Sequence, residues 1–346
     1  MDKDLMTSIL RFLRFHPGSS RKDISEGIAS TVSDATLKRA IANGIVNDYI
    51  ASSGKARATE YSLTAQALVM MTYNIDTYFS KEVDEREVQT GFNFDLIQNV
   101  LPKVTLFTDE ELSMLDELQK QFTHNTTQLS KVEYDKEMER LGIDLSWKSS
   151  QIEGNTYSLL ETERLLKESQ EAKGKTHEEA LMLLNHKEAL KFILQEPDYL
   201  TPLTISQIED IHSLLIKDMG VARNIRTRRV GITGTNYRPI DNEFQIREAL
   251  HDTCKLINGK DNIFEKALLA LVLISYIQPF EDGNKRTARI TSNAILIANK
   301  YCPISFRSVD SIDYKKAMLL FYEQNNISAF KQIFIDQFRF AVEQYF

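Results

Sequence analysis

The sequence predicts a mostly α protein: an all-α helical core broken by one β-hairpin, preceded by a smaller unit of three helices and two strands. Three observations predict it. Apolar residues recur at helical spacing in segment after segment from Lys131 to the end. Seven prolines and 13 glycines in 346 residues are too few for a turn-rich β fold. Residues 1–64, by contrast, change from helical to strand-like periodicity within a short span.

A chain of 346 residues suggests about two domains, at roughly 100–200 residues per domain. Hydrophobic residues make up 42% and charged residues 26%, as in soluble globular proteins. No apolar run approaches the ~20 residues that span a bilayer, so no membrane partner is expected. The longest run, Ala267 to Ile277, reads as a buried helix. The opening MDKDLMTSILRF has two early acids and no small-residue cleavage site, unlike a signal peptide, and a cytoplasmic location is expected. Cys254 and Cys302 stand 48 positions apart, outside any CxxC or Cys/His cluster. They read as buried thiols of a reducing compartment, not as zinc ligands. The net charge of −7 argues against nucleic acid as a partner of the whole chain. Residues 1–64, however, hold nine Lys/Arg and seven Asp/Glu, a net of +2, which leaves −9 on the remainder.

Within residues 1–64, Leu5, Ile9, Leu10 and Leu13 mark a first helix that Pro17-Gly18 stops. Residues 20–28 form a short second helix and a turn follows around Thr31 to Ser33. Ser33 suits the N-cap of a third helix from Asp34 to about Asn43, with Leu37 and Ile41 inward. Ile45 to Ala51 and Thr59 to Leu63 read as strands joined by a glycine-containing turn. This order resembles a winged helix-turn-helix. The resemblance implies Lys38 and Arg39 in a DNA major groove, with Lys55 and Arg57 touching phosphate from the wing tip. The same basic residues read equally as the solvated face of a packing or protein-interaction module.

Residues 65–130 read as helical with interruptions. Phe94 to Leu101 and Asp109 to Phe122 are predicted helices, and Ser80 to Val88 a solvated helix face or linker. From 131 to 346, helices are predicted at 134–151, 159–169, 177–194, 205–219, 244–257, 264–277, 286–300, 311–324 and 327–344. One stretch differs. Val230 to Pro239 alternates β-branched residues with glycines and predicts a β-hairpin. There is no internal repeat and no low-complexity tract.

The informative segment is Gln278-Pro-Phe-Glu-Asp-Gly-Asn-Lys-Arg-Thr-Ala-Arg289, a loop between two predicted core helices. Pro279 ends the first helix, Phe280 can anchor the loop, and Gly283 admits close backbone approach. Free N–H groups at the next helix start attract phosphate. Lys285, Arg286 and Arg289 surround that end with positive charge, and Asp282 is a hard oxygen donor suited to Mg²⁺. These parts describe a Mg-nucleotide phosphate site. The competing reading is a capped Asp-Gly turn with its arginines paired to acids.

The string resembles the Fic signature His-Pro-Phe-x-Asp/Glu-Gly-Asn-Gly/Lys-Arg-x-x-Arg, with eight of the nine specified positions met. The resemblance implies an all-α Fic core with a β-hairpin flap that uses ATP and Mg²⁺ to transfer AMP to a Ser, Thr or Tyr hydroxyl. It implies that Asp282 holds the metal, that Gly283, Asn284 and Arg286 cradle the α- and β-phosphates, and that Arg289 reaches the γ-phosphate. The segment 230–239 becomes a flap that docks the target as an added strand, with Thr235, Asn236 and Tyr237 near its tip. The implied partner is an unknown target protein or the chain itself, and a homodimer is allowed because such cores often pair. This chain departs at the first position. The family's general-base histidine is replaced by Gln278, an amide that holds hydrogen bonds but takes no proton near neutral pH.

A second motif, Ser149-Ser-Gln-Ile-Glu153-Gly154, resembles the family's inhibitory pattern Ser/Thr-x-x-x-Glu-Gly/Asn. Ser149 and Glu153 share a helix face. The resemblance implies an inhibitory helix over 143–155 whose Glu153 pairs with Arg289 in place of γ-phosphate. In some relatives that glutamate also orients water to remove AMP, so a deAMPylating enzyme is an alternative. An ATP-binding, DNA-binding regulator with a degenerate core, or a scaffold, are the others. His177, His186 and His212 lie on predicted helices and read as structural or solvated.

Overall fold

The structure, a computed structural model, describes residues 3–28 and 32–346, without the side chains of Lys3, Asp4 and Arg57. Thr31, in the turn expected before the third helix, and the Arg57 side chain therefore lie outside the described residues. The chain divides into two compact units, Met1–Tyr73 with Asn99–Thr105 and Asn74–Gln98 with Leu106–Phe346.

The smaller unit contains α1 (Lys3–Phe15), α2 (Arg21–Gly27), α3 (Asp34–Val46), β1 (Ile50–Ser53), β2 (Glu60–Leu63) and α4 (Ala65–Met70). Ser20 and Ser33 cap α2 and α3 by accepting from Asp23 and Thr36 backbone N–H groups. Leu5, Ile9, Leu13, Ile24, Leu37, Ile41 and Ile50 form the core. β1 and β2 pair antiparallel from Ile50 opposite Leu63 to Ser53 opposite Glu60. Gly54 turns between them at φ +77, where a Cβ would stand 2.0 Å from the Ala58 carbonyl oxygen. Lys38 and Arg39 lie on the exposed side of α3, and Lys55 is exposed in the turn.

The larger unit contains α5 (Ile75–Phe79), α6 (Asp109–Gln128), α7 (Lys131–Ile152), α8 (Leu159–Glu168), α9 (His177–Gln195) and α10 (Ile205–Leu215). It continues through α11 (Glu243–Gly259), α12 (Ile263–Ile277), α13 (Asn284–Ala298), α14 (Ser311–Gln324) and α15 (Ser328–Tyr345). Thr108, Ser130, Ser158, Thr176 and Thr204 start α6 to α10, each donating its backbone N–H in return to the side-chain oxygen of a Glu or Gln three residues on. The predicted α12 is buried along its length, and α13 packs against it with Arg286 to Leu296 also buried. This central pair fixes the loop between them.

Four segments differ from expectation. Ile45 and Val46, expected in a strand, complete α3 instead, and β1 begins only at Ile50. Residues 230–239 form no hairpin; among the described residues the one regular sheet is β1–β2. The segment has strand-forming residues but no second strand of its own. Its Arg238 N–H donates instead to Thr90 O at 2.9 Å, in an isolated parallel bridge to Gly91. Phe94 to Leu101 is not an α-helix but a π-turn over Leu96–Val100, ended by a 3₁₀ turn containing Pro102. The charge-rich 80–88 stretch holds only a 3₁₀ turn, Val83–Glu85, and its Arg86 is buried against Glu323 instead of solvated.

Candidate active site

The loop 278–283 begins with a left-handed residue. Gln278 caps α12 at φ 52, and its N–H donates to Ile274 O at 3.2 Å. Its side chain is fixed at both ends. Oε1 accepts from Asn284 Nδ2 at 3.1 Å, and Nε2 donates to Ser275 O at 2.6 Å. Asn284 closes the loop on itself, accepting from Phe280 N at 2.8 Å and donating to Phe280 O at 2.9 Å. The Asn284 amide is thus committed to loop shape, whereas the sequence reading gave it to phosphate.

Gly283 precedes α13 at φ +78 and supplies no side-chain cap. The cap therefore gives the first-turn N–H groups of α13 no side-chain acceptor, and a helix start without one is the arrangement that binds anions. Arg286 is buried, and its NH2 bonds Asp282 Oδ2 at 2.8 Å while NH1 points to Leu215 O at 3.4 Å. Its Nε has no partner. A buried guanidinium with an unspent donor at a helix N-terminus fits a phosphate ligand. Asp282 is 61% exposed on its side chain, open to solvent as a metal-binding carboxylate requires.

Arg289 is fully buried and engaged by α7. Its Nε donates to Ser149 Oγ at 2.9 Å, and NH2 donates to Ser149 O at 3.0 Å and to Glu153 Oε1 at 2.7 Å. Ser149 O belongs to the last turn of α7, where carbonyls lack helical partners. Lys285 Nζ takes the other Glu153 oxygen at 3.2 Å. Burial works against the Glu153 carboxylate, but Arg289 and Lys285 outweigh it and hold its pKa at about 2 instead of 4.5. Gly154, at φ +100, lets the chain turn away directly after this contact.

Gln278, Lys285 and Glu153 open onto one cleft of about 370 Å³, lined also by Gly231, Ile232, Thr233 and Tyr322. The three residues assigned to the flap tip do not behave alike. Asn236 is exposed and Thr235 half-buried, but Tyr237 is buried, stacked on Tyr276 with centroids 4.9 Å apart. Tyr237 is therefore a core anchor and not a docking residue.

Two further residues hold the site: Arg226, which the sequence does not single out, and His212, which it reads as structural or solvated. Buried Arg226 donates from Nε to Gln278 O at 2.6 Å, from its backbone N–H to Pro279 O at 3.0 Å, and from NH2 to Ile240 O. It ties the loop to the segment leading to 230–239. His212 lies flat on Phe280, ring centroids 3.6 Å apart, with Nε2 3.0 Å from Asp282 O. Burial pushes its pKa down to about 4. Burial, and then the two arginines, push buried His186 down to about 3. Arg226 sits in a basic run and His212 on an amphipathic helix, so neither carries a local signal.

Residues 202–296 match the model of the Fic/DOC family. The chain is 29% identical over 226 residues to the protein adenylyltransferase Fic of Nematostella vectensis, covering 63% of this chain and 51% of that protein. It is 26% identical over 162 residues to the protein adenylyltransferase fic-1 of Caenorhabditis elegans, covering 44% and 31%. The chain thus spans about half or less of the length of these curated relatives. Its fold is shared with residues 134–508 of C. elegans Fic-1, at a TM-score of 0.59 and 22% identity over 68% of this chain and 72% of that one. A Fic-domain signaling protein of Bacteroides thetaiotaomicron superposes at a TM-score of 0.58 and 21% identity, over 66% and 95%.

Proposed function

We propose, from the Fic/DOC family domain that this chain carries at residues 202–296, that the cleft binds Mg-ATP and that the chain is a self-inhibited protein adenylyltransferase stalled at Gln278. The observation that carries the reading is the α13 N-terminus. An uncapped helix start stands beside two buried guanidiniums, and one of these is held by a carboxylate where a phosphate belongs.

ATP with Mg²⁺ on Asp282 would supply an AMP group for a protein hydroxyl, with pyrophosphate leaving. The chain's own residues divide the remaining work. The first-turn N–H groups of α13 and Arg286 hold phosphate charge. Glu153 keeps Arg289 from the same task by offering it a competing carboxylate. Gly231 to Thr233 line the cleft and have no backbone hydrogen-bond partner among the described residues, so they can seat a target segment by main-chain bonding. The target hydroxyl must surrender a proton, and the Gln278 amide cannot accept it. Losing a general base costs about 10²–10⁴-fold in rate. Phosphate binding does not use that group and survives.

The test is calorimetric titration of Mg-ATP into this chain and its Arg286→Ala variant. Binding that vanishes in the variant supports the phosphate site. Equal binding in both places the nucleotide elsewhere and sinks the reading.

A further inference from the structure

Residues 83–91 do more than connect. Arg86 is buried and reaches two distant places at once. Its NH1 lies 3.4 Å from Glu323 Oε1, with both side chains almost fully buried, and its NH2 donates to Gly234 O at 2.7 Å. Phe79 packs under the guanidinium at 4.9 Å. The carboxylate is held in turn by Tyr78 OH, which donates to Glu323 Oε2 at 2.7 Å, and Gln89 N–H donates to Glu323 O at 2.9 Å. Two further bonds join the same stretches. Asn236 Nδ2 donates to Asp84 Oδ1 at 2.9 Å, and Arg238 N–H donates to Thr90 O at 2.9 Å. Three contacts thus converge on residues 234–238, from a segment about 150 positions upstream.

The fastened residues directly follow Gly231 to Thr233, which line the cleft beside Gln278. Downstream, Tyr237 OH donates to Tyr276 O at 2.9 Å, two residues before Gln278. The glycine-rich segment has no sheet of its own to hold it. A buried ion pair is weak evidence for stability, because desolvation offsets its attraction. Here one arm of the guanidinium is committed to a loop carbonyl, a geometry that a point-charge ammonium does not reproduce.

We propose that Arg86 is a positioning residue of the cleft: by holding the Gly234 carbonyl it fixes Gly231 to Thr233 in place to receive a protein target. This rests on the adenylyltransferase reading for what is received, but not for what is held. A docking edge ordered in advance lowers the ordering cost of binding.

The experiment uses the full chain carrying Gln278→His and Glu153→Gly as the parent. Arg86→Lys keeps the charge near Glu323 and removes the fork. Asp84→Ala cuts an exposed contact and leaves the buried pair intact. Amide hydrogen exchange, Mg-ATP affinity and incorporation of label from α-³²P-ATP into the chain itself are measured on all three. In Arg86→Lys, exchange at the bonded Tyr237 and Arg238 amides rises about tenfold or more, as loss of one charge-assisted bond loosens the segment. Mg-ATP affinity stays within about twofold, because the α13 N-terminus is untouched. Asp84→Ala shows a smaller rise in the same residues. Unchanged exchange in both variants, or an equal rise throughout α12 and α14, overturns the proposal. A parent that incorporates no AMP overturns the adenylyltransferase reading alone, since the exchange data still decide the role of Arg86.

Discussion

Glu153 Oε1 and Arg289 NH2 stand 2.7 Å apart, and this contact joins the end of α7 to the first turns of α13. Arg289 has no other carboxylate within ion-pair distance among the described residues, while Glu153 also takes Lys285 at 3.2 Å. The carboxylate therefore occupies two of the three cations that frame the candidate phosphate site.

Glu153→Gly should tighten Mg-ATP binding. Removing one partner of a buried pair leaves an uncompensated charge, a cost of about 3–5 kcal/mol. Nucleotide phosphate can restore the balance at Arg289. A fall in Kd of about tenfold or more is expected by calorimetry, with a lowered melting temperature that Mg-ATP recovers. An unchanged Kd would mean that the latch and the ligand do not compete.

Gln278→His should restore transfer. Histidine tolerates the left-handed backbone that Gln278 adopts better than most residues do. Label incorporation from ATP should rise by about 10²–10⁴-fold over the matching glutamine chain. The gain should be greatest with Glu153→Gly alongside.

Gly283→Ala should weaken both fold and ligand. The residue sits at φ +78, and a Cβ would stand 3.2 Å from Ile216 Cγ2 and 3.4 Å from His212 Cδ2. The left-handed penalty is about 1–2 kcal/mol. Denaturant melts should show it, and Mg-ATP affinity should drop with it, because the α13 N–H groups shift. Wild-type affinity in a destabilised chain would separate the two.

Stability should fall in acid in two stages. His186 and His212 have folded pKa values near 3 and 4 against an ordinary 6.5, so only the unfolded chain binds their protons as pH drops below 6.5. Their contribution is present above 6.5 and declines toward the folded values. Glu153 is likewise depressed, from 4.5 to about 2, so its contribution is complete above 4.5 and lost as pH falls toward 2. Stability measured between pH 4 and 7 should have a slope of about 1.4 kcal/mol per pH for each such histidine, and His212→Asn should remove one share. An unchanged slope would place the uptake elsewhere.

The central helices, their order and the site loop were legible because each rests on local rules. Apolar residues at helical spacing mark α12 and α13, the Ser33 cap marks the start of α3, and Gly283 marks a backbone that other residues rarely adopt. The spacing of Ser149 and Glu153 placed both on one helix face before any partner was visible. The hairpin at 230–239 was misread because strand propensity describes a residue's fit to a sheet and not whether a sheet exists.

The sequence by itself determined the helical fold and the set of residues gathered at 278–289, including the Gln278 amide at its head. Only the tertiary structure decided what each of those groups spends its bonds on. It committed Arg289 to Glu153, Arg226 to the Gln278 carbonyl and Arg86 to Gly234. The physical reason is that a hydrogen bond in a buried site depends on groups dozens to hundreds of residues apart, which the packing of helices brings within about 3 Å and no local pattern records.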